Sequence, residues 1–175
     1  MLALAGWVVF TQGWWMDWLP GEDLADVEAL HPELRPAVDA VIAQLEEEGW
    51  EVRVSSAWRS AERQEAIFAI GQLGERLGQS PWSRVRGGGS CHNQLRDDGG
   101  PGSAAVDLSP GGVESLDERA AFYQALGQAA EDQGLRWGGS FGHSNPVWAR
   151  YGMGWDPAHV EDRQLCRRLK ARSDS

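Results

Sequence analysis

The sequence predicts an α+β domain. Helical and extended segments alternate irregularly, without the repeated strand–helix pairing of a doubly wound sheet, and two long loops interrupt them. Apolar residues make up 42% of the chain and charged residues 24%, the balance of a globular protein with a core. A length of 175 residues fits one domain of ordinary size.

Met1 to Leu19 is mostly apolar, with Asp17 its sole charged side chain and Trp7, Trp14, Trp15 and Trp18 crowded into it. A membrane helix wants about 20 apolar residues, and Thr11, Gln12 and Gly13 interrupt this run. No Lys or Arg precedes it and no small-residue cleavage site follows, so it fits a signal peptide poorly. Residues 1–21 therefore read as a segment distinct from a domain over 22–175. An arm packed on the domain is the simpler reading, and an anchor making membrane contact through residues 1–19 is the alternative.

Residues 22–30 suggest a short helix ending before His31-Pro32. A clearer helix is expected from Pro32 to Glu48, where Leu34, Val38, Val41, Ile42 and Leu45 form one stripe. Pro32 and Pro36 sit near its start, where a missing N–H costs least, and Gly49 suits its end. Glu51 to Trp58 alternates as a strand does. It runs into Arg59-Ser60, with Ser60 as N-cap of a helix over 61–77 whose apolar face is Ala66, Ile70, Leu73 and Leu77. Arg59 thus stands at a strand-to-helix junction.

Residues 78–102 read as loop, broken by Gly87-Gly88-Gly89 and Gly99-Gly100-Pro101-Gly102. No Gly-Lys-Ser/Thr follows the glycines, so they are no phosphate cradle. Ser103 to Leu108 is a short strand carrying Asp107. Ser115 to Glu118 is a capping box, opening a helix to Gln133 with Phe122, Leu126 and Ala130 buried. Leu135–Gly139 and His159–Glu161 read as short strands, and 162–172 as a polar helix.

Sixteen Lys and Arg against 26 Asp and Glu give a net charge of -10, which argues against a nucleic-acid partner. Two cysteines without a CxxC pair exclude a thiolate zinc site. Cys91 and Cys166 read as separate free thiols, with a disulfide as the alternative in an exported protein.

Three groups can converge into a site: His92 in the glycine-rich loop, Asp107 on a strand and His159 on the last strand. Two histidines and a carboxylate are a catalytic zinc set that leaves a fourth position for water, whose pKa then falls to about 7. Asp156, three residues before His159, is placed to take and return a proton. Glu161 points the same way as His159 on a strand and can orient its ring. Arg59 can bind a substrate carboxylate or a developing oxyanion. Spacing alone explains each histidine equally well as a surface or satisfied core residue.

The motifs add a resemblance. Leu30-His-Pro-Glu-Leu-Arg35, Ser55-Ser-Ala-Trp-Arg-Ser60 with Gln64, Ser90-Cys-His-Asn93, Ala105-Val-Asp-Leu108, Gly134-Leu-Arg-Trp-Gly-Gly139 and Asp156-Pro-Ala-His-Val-Glu161 follow one another over residues 28–163. In that order they resemble the zinc D-alanyl-D-alanine carboxypeptidase family, which includes VanY-like carboxypeptidases and L-alanyl-D-glutamate endopeptidases. The resemblance implies a small antiparallel sheet flanked by helices, with one zinc ion in a cleft at the sheet. It places the zinc ligands on His92, Asp107 and His159, the catalytic carboxylate on Asp156 and the substrate-binding arginine on Arg59. Ser90 and Gln64 lie in its motifs as supporting or substrate residues. The implied partners are peptidoglycan stem peptides, acted on by a monomer in the cell envelope or periplasm, or held in the cytoplasm until release in a phage-derived protein.

One departure stands out. His92 and Asp107 are fifteen positions apart, against seven in the family's usual motif, with Leu95 to Gly102 as the added segment. Chain entropy charges under about 1 kcal/mol for such an extension. It motivates an alternative reading, a catalytically inactive module that binds cell-wall peptides. Asp at 156 leans instead towards endopeptidase-type members. A third reading, carbohydrate binding by exposed tryptophans, is weaker, since most of them follow apolar neighbours. His143, Trp148 and Tyr151 are expected along the cleft.

Overall fold

The computed structural model describes residues 18–76, 83–142 and 145–173; those before Trp18, which include most of the tryptophan-rich segment, lie outside it, as do His143 and Leu77. The elements in order are β1 (Asp23–Leu24), α1 (Arg35–Glu47), β2 (Val52–Ser56), β3 (Trp58–Arg59), α2 (Ala61–Arg76), β4 (Ala105–Pro110), α3 (Leu116–Asp132), β5 (Arg136–Trp137), β6 (His159–Glu161) and α4 (Arg163–Ser173). Short 3-10 turns at Val27–Ala29, Cys91–Asn93, Gly138–Ser140 and Trp148–Tyr151 join them. Among the described residues, no helix is long and apolar enough to cross a membrane.

Four strands form one antiparallel sheet in the order β2-β4-β6-β5, and β1 pairs with β3 in a second, two-stranded sheet. The architecture is the expected α+β one. Alternation along β4 and β6 decides what each face carries. Val106, Leu108 and Val160 are fully buried in the core with Val38, Val41 and Leu45 of α1 and Phe122, Leu126 and Ala130 of α3. Asp107, His159 and Glu161 take the alternate positions. Register then matters: Asp107 pairs with His159 across β4–β6, and Arg136 with Glu161 across β5–β6.

Several elements differ from expectation, each because a tertiary partner outweighs local pattern. Residues 22–30 hold a strand and a 3-10 turn, not a helix. Leu24 O accepts from Ala57 N at 2.7 Å and Glu22 O from Ser60 N at 2.9 Å, while the Asp26 side chain caps the turn. Residues 51–58 do not make one strand, because the chain breaks at Ala57 and moves Trp58–Arg59 into the other sheet. Of 135–139 only Arg136–Trp137 is extended, and Gly138–Ser140 coils into a turn. Helix α2 buries Arg63, Gln64, Ile67 and Gly71, whereas Leu73 is 58% exposed. Arg63 reaches the Leu19 carbonyl and Gln64 reaches Ser83, contacts that an apolar periodicity cannot register.

The cysteines correct another expectation. Cys91 and Cys166 are disulfide-bonded, with Cα atoms 5.4 Å apart across 75 positions of sequence. The turn Cys91–Asn93 packs on the buried side of α4, a proximity the sequence does not contain. Replacing both cysteines by serine is expected to lower stability by about 4 kcal/mol through the freed unfolded chain; denaturant titration with and without reductant measures it.

The added segment after His92 closes on itself. Leu95 bridges to Pro101, Arg96 N donates to Gly100 O at 2.9 Å, and Gly102 N donates to Gln94 O at 3.0 Å. Asp97 at its tip pairs with Arg172 of α4. The excursion leaves and returns at nearly one point, so His92 and Asp107 still meet.

Candidate metal centre

His92 is set by its own turn. The Ser90 hydroxyl accepts from His92 N at 3.2 Å, while Ser90 N donates to the Asn93 side chain at 3.2 Å. The Asn93 amide in turn donates to Arg59 O at 2.8 Å. Ser90 therefore acts through the backbone of the turn. The ring's Nδ1 lies 2.7 Å from Ala57 O. A carbonyl only accepts, so Nδ1 carries the proton and Nε2 is left with its lone pair.

That Nε2 faces two other donors. It lies 3.2 Å from Asp107 Oδ1 and 3.2 Å from His159 Nδ1, and His159 Nδ1 lies 3.0 Å from Asp107 Oδ1. Bonds of about 2.1 Å in a tetrahedral sphere place ligand atoms about 3.4 Å apart. The three atoms need separate by only a few tenths of an ångström to take a zinc ion, and the donor set suits it. They form a candidate metal-binding group among the described residues. Behind His159, Nε2 lies 3.3 Å from Glu161 Oε2.

Arg59 comes in from the other side. Its NH2 donates to Asp107 Oδ2, and its Nε lies 3.3 Å from Asp23 Oδ2, an ion pair without hydrogen-bond geometry. Asp23 also accepts from the Ser56 hydroxyl at 2.6 Å and stands 3.8 Å from Arg63 Nε. Sequence reasoning missed Asp23, because its link to Arg59 depends on the β1–β3 pairing.

The proton equilibria follow from these contacts in the metal-free centre. Burial disfavours the His159 cation, but hydrogen bonds to Asp107 and Glu161 and the charges of Asp107 and Asp156 outweigh it, raising its pKa to about 10. Burial lowers His92 despite the Asp107 charge. Asp107 is held well below the usual carboxylate range, because interaction with His92, the Arg59 charge and the hydrogen bond from His159 together overcome its desolvation. Burial, then the Asp107 charge, pushes Asp156 up to about 6, with His159 and Arg59 opposing.

A raised histidine pKa stabilises the metal-free fold below its unfolded value of 6.5, and that contribution is lost as pH rises through about 10. A zinc ion taken up at this group would have to displace the same proton. Its apparent affinity is expected to rise about tenfold per pH unit between about pH 7 and about pH 9. Titration calorimetry in two buffers of different ionisation enthalpy should show about one proton released per ion.

Asp156 is held by close backbone approach. A Cβ on Gly138 would stand 2.1 Å from Asp156 O and 2.9 Å from His159 Cβ, so only glycine fits there. Trp137 Nε1 donates to Pro157 O at 2.7 Å, and His159 N to Asp156 O at 3.1 Å. Partly buried, the Asp156 carboxylate feels Asp107, His159, Arg59 and Glu161 together.

The structure thus brings together His92, Asp107, His159, Arg59, Glu161 and Asp156. Gln64 makes its contacts elsewhere, donating to Ser83 Oγ at 2.7 Å and Val85 O at 2.8 Å. Trp148 packs edge-on against Tyr123, and the Tyr151 hydroxyl donates to Asp117 at 2.5 Å, so both are tied to α3. A cavity of about 520 Å³ includes Arg136, Ser140, Arg163 and Arg167 in its lining and none of the three ligand residues.

Fold and centre define an α+β domain with a His-Asp-His group that could hold a metal ion. No protein-family profile matches the chain, and no curated protein matches it by sequence. Solved structures do. VanYB in complex with D-alanine-D-alanine aligns over 94% of this chain and 87% of its own, at 14% identity and a TM-score of 0.52. A mutant of the vancomycin resistance D,D-pentapeptidase VanY in complex with Zn(II) aligns over 89% and 85%, at 16% identity and a TM-score of 0.53. The LdcB LD-carboxypeptidase aligns over 82% of this chain at 18% identity and a TM-score of 0.49; the chain spans 64% of that protein's length. The chain has the fold of the VanY peptidases, the one its motifs resemble.

Proposed function

We propose that this chain is a VanY-like zinc peptidase that hydrolyses an amide bond in peptidoglycan stem peptides, as a D,D-carboxypeptidase or an L-Ala-D-Glu-type endopeptidase. The observation that carries the reading is three candidate ligand atoms 3.0–3.2 Å apart, with Arg59 bound to Asp107 and the Asp156 carboxyl within reach of their charges. His92, Asp107 and His159 would hold one zinc ion, which supplies Lewis-acid polarisation of a carbonyl and a more acidic water. Asp156, with a metal-free pKa of about 6, is ionised at neutral pH and takes a proton from the attacking water. It then returns that proton to the leaving amine. Arg59, held by Asp23, binds a peptide carboxylate or the developing oxyanion.

The motive for a purely binding module was the added segment, and its contacts run to itself and to α4 rather than to the centre. The disulfide supports a place in the cell envelope or periplasm, since such bonds persist in oxidising compartments; release from a phage-infected cell leads to the same surroundings. Muropeptides incubated with zinc-loaded protein and analysed by mass spectrometry provide the test. Cleavage that a chelator stops and zinc restores is the expected result, and the fragment masses identify the bond. Bound zinc without cleavage of any muropeptide would overturn the peptidase reading in favour of the binder.

A further inference from the structure

We infer that Arg136 is a positioning residue for the metal centre: by clamping Glu161 it holds the His159 ring with Nδ1 turned to the ligand position. The inference rests on the metal site proposed above and adds to it a residue two contacts removed.

The two histidines are oriented by different means. His92 is held by the Ala57 carbonyl, which the fold itself fixes. His159 is held by a side chain, Glu161, which has rotamers of its own. An imidazole offers Nδ1 to a metal only when Nε2 carries the proton, so an acceptor must stay at Nε2. Glu161 Oε2 supplies it at 3.3 Å.

Arg136 fixes that carboxylate from its far end. Its NH1 donates to Glu161 Oε1 at 2.8 Å while Oε2 faces His159, so each oxygen has a side-chain partner and tilting the group weakens both contacts. The β5–β6 register sets the two residues opposite each other. Arg136 is restrained in turn, since its guanidinium lies 4.1 Å from the Phe141 ring centroid. Phe141 also walls His159, at 5.7 Å between centroids. A strand of two residues at the sheet edge constrains little by itself, and the clamp supplies what the backbone does not. Because the Arg136 side chain is 42% exposed, replacing it leaves the core intact.

Zinc affinity, measured by competition with a chromophoric chelator, tests this without any substrate. Arg136→Gln is expected to weaken zinc binding about tenfold, the usual scale for an outer partner of a ligand, and to shift the visible absorption of the cobalt(II) form. Arg136→Lys, which keeps a cation opposite Glu161, should recover most of the affinity. Metal-free melting curves of both variants report folding separately. Parental affinity and an unchanged cobalt spectrum in Arg136→Gln would overturn the inference, as would equal weakening in the Lys variant. Failure of the parent protein to bind zinc overturns the metal site itself, a different outcome from loss in the variant alone.

Discussion

Asp156→Ala is expected to retain one zinc per chain while losing roughly 10²–10⁴-fold in hydrolysis, the range a positioned acid–base group contributes. The dissociation of the two readouts is the point. Asp156 takes no part in the His92–Asp107–His159 set, so metal content should match the parent by elemental analysis. The parent's rate should rise through a carboxylate ionisation at or below about pH 6, because a base works only when ionised. Stability supplies an independent check. A carboxyl whose folded pKa of about 6 exceeds its unfolded 3.8 stabilises the fold below pH 3.8, and that contribution is lost as pH rises through 6. The metal-free variant should therefore be at least as stable as the parent at neutral pH. Native-rate cleavage by the zinc-loaded variant would assign the proton transfer to another group.

Asp107→Ala is expected to damage both metal binding and the metal-free fold. Its Oδ1 meets both histidines and its Oδ2 meets Arg59, so one substitution removes a zinc ligand and the main partner of a buried guanidinium. Truncating one side of a buried ion pair costs about 3–5 kcal/mol, because the remaining charge stays buried. Denaturation in excess chelator should show a loss of that order, and zinc content should fall to background. Asp23 still faces Arg59, which places the stability loss towards the lower end. Parental stability in chelator, or retained zinc, would contradict this arrangement.

Much of the centre was legible in the residues. His159 and Glu161 fall two apart on a strand, and that spacing alone puts them on one face. The stripe of α1 and the buried face of α3 were likewise readable, because the 3.6-residue period follows from helix geometry whatever the packing. Asp23, Arg136 and the Cys91–Cys166 bond were not. Each belongs to a pair set by register or docking across 36, 25 or 75 positions, and no local pattern encodes such a distance. The face of α2 failed for a related reason: Gln64 and Arg63 are buried by polar contacts that make them poor candidates on hydropathy.

By itself the sequence determined the fold class, the four long helices and the residue types able to bind zinc and move a proton, since these depend on composition, period and side-chain chemistry. Only the tertiary structure decided that Nε2 of His92 and Nδ1 of His159 share one point with Asp107. It also decided that Asp23 and Arg136 stand behind Arg59 and His159. Strand register and backbone carbonyls aim a ring nitrogen, and they exist only once the chain has closed on itself.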